Sequence, residues 1–331
     1  MQPIIEALSH IPFLTGIDHG DLTIERLGGL SNANYKLNGP DMCIVVRLAG
    51  PGTEAYVNHA SEARNARAAA QAGVAPEVLF SDAQRGIIVT RFVEGAEPLD
   101  AGRAGTASCL PRIGRKLRQL HTRSDRFTSN FDPFQQLDRY AAILESHRQK
   151  SLAGFLDAWS RLYAAQKVIG ASAYGSTPCH CDLLPENILD DGERLFIIDY
   201  EFSGNCDPLW DLGDFSGEAN LGESQDRVLL QSYFGGDVPS EAQALFIVYK
   251  AVSLLLAAGW AQVQIANANV IEDFKTYAEV RLARCWDVIE TTDLERLIGD
   301  LTTRSSGRPG RALGAPSKIR EHRSDESKTR I

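Results

Sequence analysis

Apolar residues recur at Leu110, Ile113, Leu117 and Leu120, spacings of three, four and three that line one face of a helix. Pro111 is compatible with that helix only in its first turn. Upstream, the pattern is that of strands. Residues 22–27 and 35–37 flank a Gly/Ser/Asn turn, Met42–Leu48 is rich in β-formers, and residues 86–93 form a further apolar run. Between them, residues 54–72 are alanine-rich and free of internal Gly and Pro, with Gly73 and Pro76 as stop signals, which predicts a helix. Residues 1–93 therefore read as a small sheet with one helix. After Glu94 the pattern turns helical, over 110–120, 155–168, 242–260 and 273–289. Short loops and one compact strand, 195–198, interrupt it over residues 177–214. The expectation is an α+β chain with a sheet lobe over 1–93, a larger, mainly helical lobe over 94–301, and a tail over 302–331.

Composition supports this division. The chain has 331 residues, 44% of them hydrophobic, and its length suits roughly two domains at about 100–200 residues each. The net charge is −9. The tail holds eight Lys/Arg (Arg304, Arg308, Arg311, Lys318, Arg320, Arg323, Lys328, Arg330) against Glu321, Asp325 and Glu326, a net +5 that leaves −14 for residues 1–301. An acidic body argues against nucleic-acid binding. The charged, Gly- and Pro-containing tail has too few large apolar residues to order itself. The N-terminus MQPIIEALSHIPFL lacks the basic start and apolar run of a signal peptide. The most apolar window, residues 244–260, is 17 residues long, carries Lys250 and falls short of a membrane span of about 20 residues, so a buried core helix is expected. The six cysteines are scattered, and Cys179-His180-Cys181 lacks the paired ligand sets of a zinc site. A cytoplasmic protein is expected, with its assembly left open between monomer and homodimer.

The chemistry concentrates in CHCDLLPENILDDGERLFIIDYEFSGNCDPLWDLGD, residues 179–214. His180-x-Asp182 is followed five residues on by Asn187, and an apolar strand ends at Asp199. Phosphoryl transfer needs one carboxylate to orient an attacking hydroxyl and take its proton. It also needs oxygen ligands, typically an Asn amide and an Asp carboxylate, to hold Mg²⁺. Asp182, Asn187 and Asp199 match these roles in type, order and spacing. His180 is expected to hold the loop rather than react.

Gly28–Lys36 (GGLSNANYK), Ile44-Val45-Val46-Arg47, HCDLLPENIL, and IIDYEFSG with DPLWDLG resemble the choline/ethanolamine kinase branch of the aminoglycoside-phosphotransferase-like kinases, over roughly residues 20–290. The resemblance implies a two-lobed protein-kinase-like fold. It implies an ATP- and Mg²⁺-dependent kinase that phosphorylates the hydroxyl of a small amino alcohol, choline or ethanolamine first. An aminoglycoside or another alcohol or amine is the alternative acceptor, and a catalytically silent kinase-fold binding protein is the alternative class.

On the nucleotide side, Ser31, Asn32 and Asn34 of the turn would face phosphates, and Arg47 would grip them, a guanidinium being suited to bidentate contact. Glu62 would pair with Arg47, with neighbouring Glu54 able to do so by charge. The backbone around Arg91–Val93 would meet adenine. In the acceptor pocket, Glu201, Glu218, Trp260 and Tyr277, joined by Phe274, align with positions that cage a quaternary ammonium. Asp207, Trp210 and Asp211 would brace the catalytic loop. Ala257 stands where the family places another Trp, and Cys181 and Tyr200 also depart from its usual residues.

Overall fold

The structure, a computed structural model, describes residues 2–29, 32–50, 53, 57–166 and 174–305. Ser31, Glu54 and residues 306–331 of the basic tail lie outside the described residues. After helix α1 (Gln2–Leu8), five antiparallel strands form one sheet: β1 (Thr23–Arg26), β2 (Ala33–Gly39), β3 (Met42–Leu48), β4 (Val78–Asp82) and β5 (Ile87–Arg91). Their spatial order is β1-β2-β3-β5-β4. Period-two alternation buries Leu37, Ile44, Val46, Ile87 and Val89 against Ile4, Leu8, Ile11 and Leu14. The N-terminal segment, which the sequence pattern did not mark as helical, is thus part of this core.

Helix α2 (His59–Gln71), which the alanine-rich run predicts, starts later than residue 54. Asn58 sets its first turn by accepting a hydrogen bond from the Ser61 amide at 3.0 Å, satisfying one of the donors that every helix start leaves open.

The chain passes to the larger lobe after Phe92. Strand β6 (Glu97–Pro98) already pairs with the lower sheet. Helices α3 (Ala101–Ala104), α4 (Leu110–Arg123), α5 (Pro133–Ser146) and α6 (Phe155–Tyr163) follow. The stripe Leu110, Ile113, Leu117 and Leu120 is buried as its spacing predicts. Short strands β7 (Thr177–Cys179), β8 (Ile188–Asp190), β9 (Leu195–Ile197) and β10 (Gly204–Cys206) carry the motif-rich segment. Helices α7 (Pro208–Glu218), α8 (Glu223–Phe234), α9 (Ser240–Ala266), α10 (Phe274–Thr291) and α11 (Leu294–Ser305) complete the lobe. Helix α11 carries four residues past the expected boundary at residue 301.

Helix α9 runs 27 residues through the centre of this lobe, packed by α5, α7 and α10. It is long and apolar enough to cross a membrane, yet 67% of its most apolar window is buried inside the fold. Its one interior charge is satisfied: Lys250 Nζ donates to the Leu221 carbonyl at 2.7 Å and to Asp226 at 2.8 Å. The crossing of α7 and α9 is close because Gly213 has no side chain. A Cβ there would lie 2.7 Å from the Lys250 amide nitrogen. Helix propensity alone predicts that Gly213→Ala gains up to about 1 kcal/mol. The crossing instead predicts a loss of about 1–3 kcal/mol from overpacking, read as a lower denaturant midpoint at unchanged m-value.

Candidate active site

The loop after β7 is built on buried acceptors of α7. Asp211, fully buried, accepts the amides of His180 at 2.8 Å and Cys181 at 2.9 Å, and its Oδ2 also bonds His121 Nε2 at 2.9 Å. Asp214 accepts the Leu183 amide at 2.7 Å. These bonds hold Cys181 at φ 68°, a left-handed conformation costly for a residue with a Cβ. The Cys181 thiol turns into the core toward the Gly204 carbonyl at 3.8 Å. His180 donates from Nε2 to the Ile198 carbonyl at 2.8 Å, which assigns its tautomer. The ring edge of Tyr200 packs against it. Asn187 then reaches back, its Nδ2 donating to the Asp182 carbonyl at 3.0 Å, while its own carbonyl accepts the Ile198 amide at 2.9 Å. Strand β9 delivers Asp199, also left-handed at φ 68°, to the same place. Asp182, Asn187 and Asp199 therefore line one cavity of about 880 Å³.

Of the residues expected on the nucleotide side, Glu62 and Asn32 gather around Arg47 on β3. Its guanidinium ion-pairs with Glu62 of α2, with Glu201 at 2.9 Å and with Asp199 at 3.4 Å. Asn32 donates to the same Glu201 oxygen at 2.9 Å, so the turn before β2 is tied to the far lobe. Asn32 is buried in this bridge, whereas Asn34 lines the cavity and donates to the Gly28 carbonyl at 2.9 Å. Gly29 is required here: at φ 142°, a Cβ would lie 2.6 Å from the Asn32 carbonyl oxygen. Arg91 and Val93 line the cavity at the crossing between lobes, but the Arg91 side chain points outward to an exposed ion pair with Glu77 at 2.8 Å.

At the opposite end, Glu218, Trp260 and Tyr277 line the cavity together. The Trp260 ring meets Tyr277 edge-on with centroids 5.8 Å apart, and Phe274 with centroids 5.4 Å apart. Sequence reasoning missed a residue at this end. Arg281 bonds Glu218 at 2.7 Å and lies 3.5 Å over the Tyr277 ring. Its signal was present in the spacing, because positions four apart on a helix share a face. Glu201, expected beside Glu218, is instead committed to Arg47 and Asn32. Of the three bracing residues expected, Asp211 holds the loop, Asp207 caps α7 through the Leu209 amide at 2.9 Å, and Trp210 is buried against Phe131 and Tyr249.

A model of the phosphotransferase enzyme family matches residues 23–245. Protein LicA of Haemophilus influenzae is 29% identical over 280 residues, covering 81% of this chain and 80% of LicA. The crystal structure of a choline/ethanolamine kinase family protein from Mesorhizobium loti superposes with a TM-score of 0.80 at 36% identity, over 91% of this chain and 99% of that one. The choline kinase LicA from Streptococcus pneumoniae superposes with a TM-score of 0.73, covering 88% of this chain and 99% of its own, and at 23% identity the likeness is one of fold.

Electrostatically the cleft carries surplus negative charge. Burial, and then the carboxylates of Asp214, Asp199, Glu201 and Glu218, push the Asp182 carboxyl well above its ordinary range. Asp199 is raised by burial despite the neighbouring Arg47. Burial and the Asp199 charge push Glu201 up to about 7, against the pull of Arg47. A carboxyl with a raised folded-state pKa keeps its proton longer folded than unfolded. Its contribution is therefore full below its unfolded pKa and is lost as pH rises through the folded value. The ligand-free chain should lose thermal stability between about pH 5 and pH 8 on these grounds, and Glu201→Gln should flatten that slope. A Tm that rises across this range, or a slope that Glu201→Gln leaves unchanged, contradicts the charge surplus.

Proposed function

Because the chain belongs to the phosphotransferase enzyme family, on its choline/ethanolamine kinase branch, we propose that it transfers the γ-phosphate of ATP, with Mg²⁺, to the hydroxyl of choline or ethanolamine. The observation that carries this reading is the convergence of Asp182, Asn187 and Asp199 with Glu218, Trp260 and Tyr277 on one cavity. The first set supplies transfer chemistry, and the second supplies carboxylate and aromatic surfaces suited to a cationic head.

Asp182 would accept the proton of the attacking hydroxyl, and its backbone, fixed by the Asn187 amide, leaves that carboxylate little freedom. The residues present fit Mg²⁺. Asp199 Oδ1 is a buried carboxylate oxygen that accepts no hydrogen bond, its nearest cation being Arg47 Nη2 at 3.4 Å, and the Asn187 amide is oriented with its nitrogen on the Asp182 carbonyl. An Asp carboxylate and an Asn carbonyl oxygen form the hard, all-oxygen set that this ion takes. Asp199 and Asn187 would hold the ion, whose charge would offset the negative charge that develops in transfer.

Arg47 is held by its carboxylates while its Nε remains a buried donor without a hydrogen-bond partner, which fits a phosphate oxygen as ligand. Gly28, Gly29 and Asn34 line the same wall. Tyr277 offers a ligand one free face at most, since the other carries Arg281. A cytoplasmic location would supply ATP and keep the six free cysteines reduced.

The 331-residue chain should release ADP with choline or ethanolamine in a panel that also contains their methylated relatives, aminoglycosides and simple alcohols. Asp182→Asn should lower that turnover at least about a hundredfold. The thermal shift that ATP and Mg²⁺ produce should persist in this variant. Turnover that survives the substitution removes Asp182 from the proposed role. Silence with every amino alcohol overturns the acceptor assignment.

A further inference from the structure

We infer that Tyr140 of α5 is a specificity-determining wall of the acceptor pocket, supplying the aromatic face that Ala257 does not. The inference rests on the acceptor reading above and adds a residue from a helix that the sequence motifs did not reach. The aromatic surface at this end of the cavity is short. Ala257 lines it as a methyl group, and one face of Tyr277 is covered by the Arg281 guanidinium at 3.5 Å. Phe131 also lines the cavity, but its ring packs on the buried Trp210 with centroids 5.3 Å apart.

Tyr140 enters from the other side. It lines the same cavity and packs in a cluster with Leu256, Trp260 and Val263 of α9. Gly259 lets it approach: a Cβ at Gly259 would lie 3.3 Å from Tyr140 Cδ2, tighter than ordinary contact. The ring is therefore seated against the backbone of α9, and only 7% of its surface remains exposed. Leu256, Ala257 and Trp260 lie on one face of that helix, with Tyr140 flanking them from α5 and Tyr277 from α10. A trimethylammonium head has no N–H to donate and depends on aromatic faces for its attraction. A primary ammonium can instead donate hydrogen bonds to carboxylates such as Glu218 and Asp214. Tyr140 should therefore matter more for choline than for ethanolamine.

The test compares Tyr140→Phe, which keeps the ring, with Tyr140→Leu, which keeps a buried apolar side chain without one. Initial rates are measured on the full chain with choline, ethanolamine and ATP. Tyr140→Leu should raise the KM for choline about tenfold or more while kcat and the KM for ATP stay within about twofold, the size expected for one desolvated cation–π contact. The KM for ethanolamine should move less, and Tyr140→Phe, which keeps the ring, should raise the choline KM severalfold less than Tyr140→Leu does. Parallel losses on both acceptors and ATP, or a Tyr140→Phe variant as impaired as Tyr140→Leu, would make Tyr140 ordinary core packing and overturn the inference alone. If the parent chain phosphorylates neither amine, the acceptor reading fails. Calorimetric titration with tetramethylammonium then decides the inference separately. Weaker binding to Tyr140→Leu than to the parent supports it, and equal binding overturns it.

Discussion

Asp182, Asp199, Glu201, Asp214 and Glu218 meet around one cavity, and the chain sets Arg47 and Arg281 against them. Like charges brought this close out of water raise one another's proton affinity unless cations offset them. The rest of the cleft follows from how the chain manages that excess. Arg47 is pinned by Glu62, Asp199 and Glu201, and Asn32 joins Glu201 from the turn before β2. Removing one member of a buried, hydrogen-bonded charge set typically costs about 3–5 kcal/mol, because its partner stays buried and unpaired. The same bonds that neutralise charge thus fasten the sheet lobe to the helical lobe. What remains negative is directed into the cavity, where a divalent ion and a cationic acceptor would complete the balance.

Precision at the Asp182 end of the cavity comes from the core. Asp211 and Asp214 project from α7, and together they take the amides of His180, Cys181 and Leu183. The left-handed backbone at Cys181 and Asp199 persists because these surroundings determine it. Helix α7 is in turn fixed by its close crossing with α9, which Gly213 permits. A position deep in the helical lobe therefore sets the geometry of a loop that lines the cavity. Helix α9 serves both ends of the cleft, since its other face carries Ala257 and Trp260 to the end lined by Glu218 and Tyr277.

Much of this was legible in the sequence where the signal is local. The stripe from Leu110 to Leu120 buries itself as its period requires, and the alternation along β3 puts Ile44 and Val46 inside. Asp182, Asn187 and Asp199 could be read because a loop and the strand that follows it bring them together across few residues. Helix starts were less legible. Residues 54–72 form a good helical pattern, but Asn58 supplies a cap that moves the start to His59. Helix α1 was overlooked because seven residues carry too little periodicity to stand out.

The sequence by itself determined the order of lobes, the transfer motif and the residue types that can hold a hard cation and a phosphate. Those depend on neighbours within one or two elements. Only the tertiary structure decided which partners the charged and aromatic residues take. Glu201 bonds Arg47 and Asn32 from 154 and 169 residues away, Glu218 pairs with Arg281 across 63, and Tyr140 joins Trp260 from a separate helix. Ion pairs and ring contacts act over a few ångströms, and no spacing along the chain specifies which faces packing will bring that close.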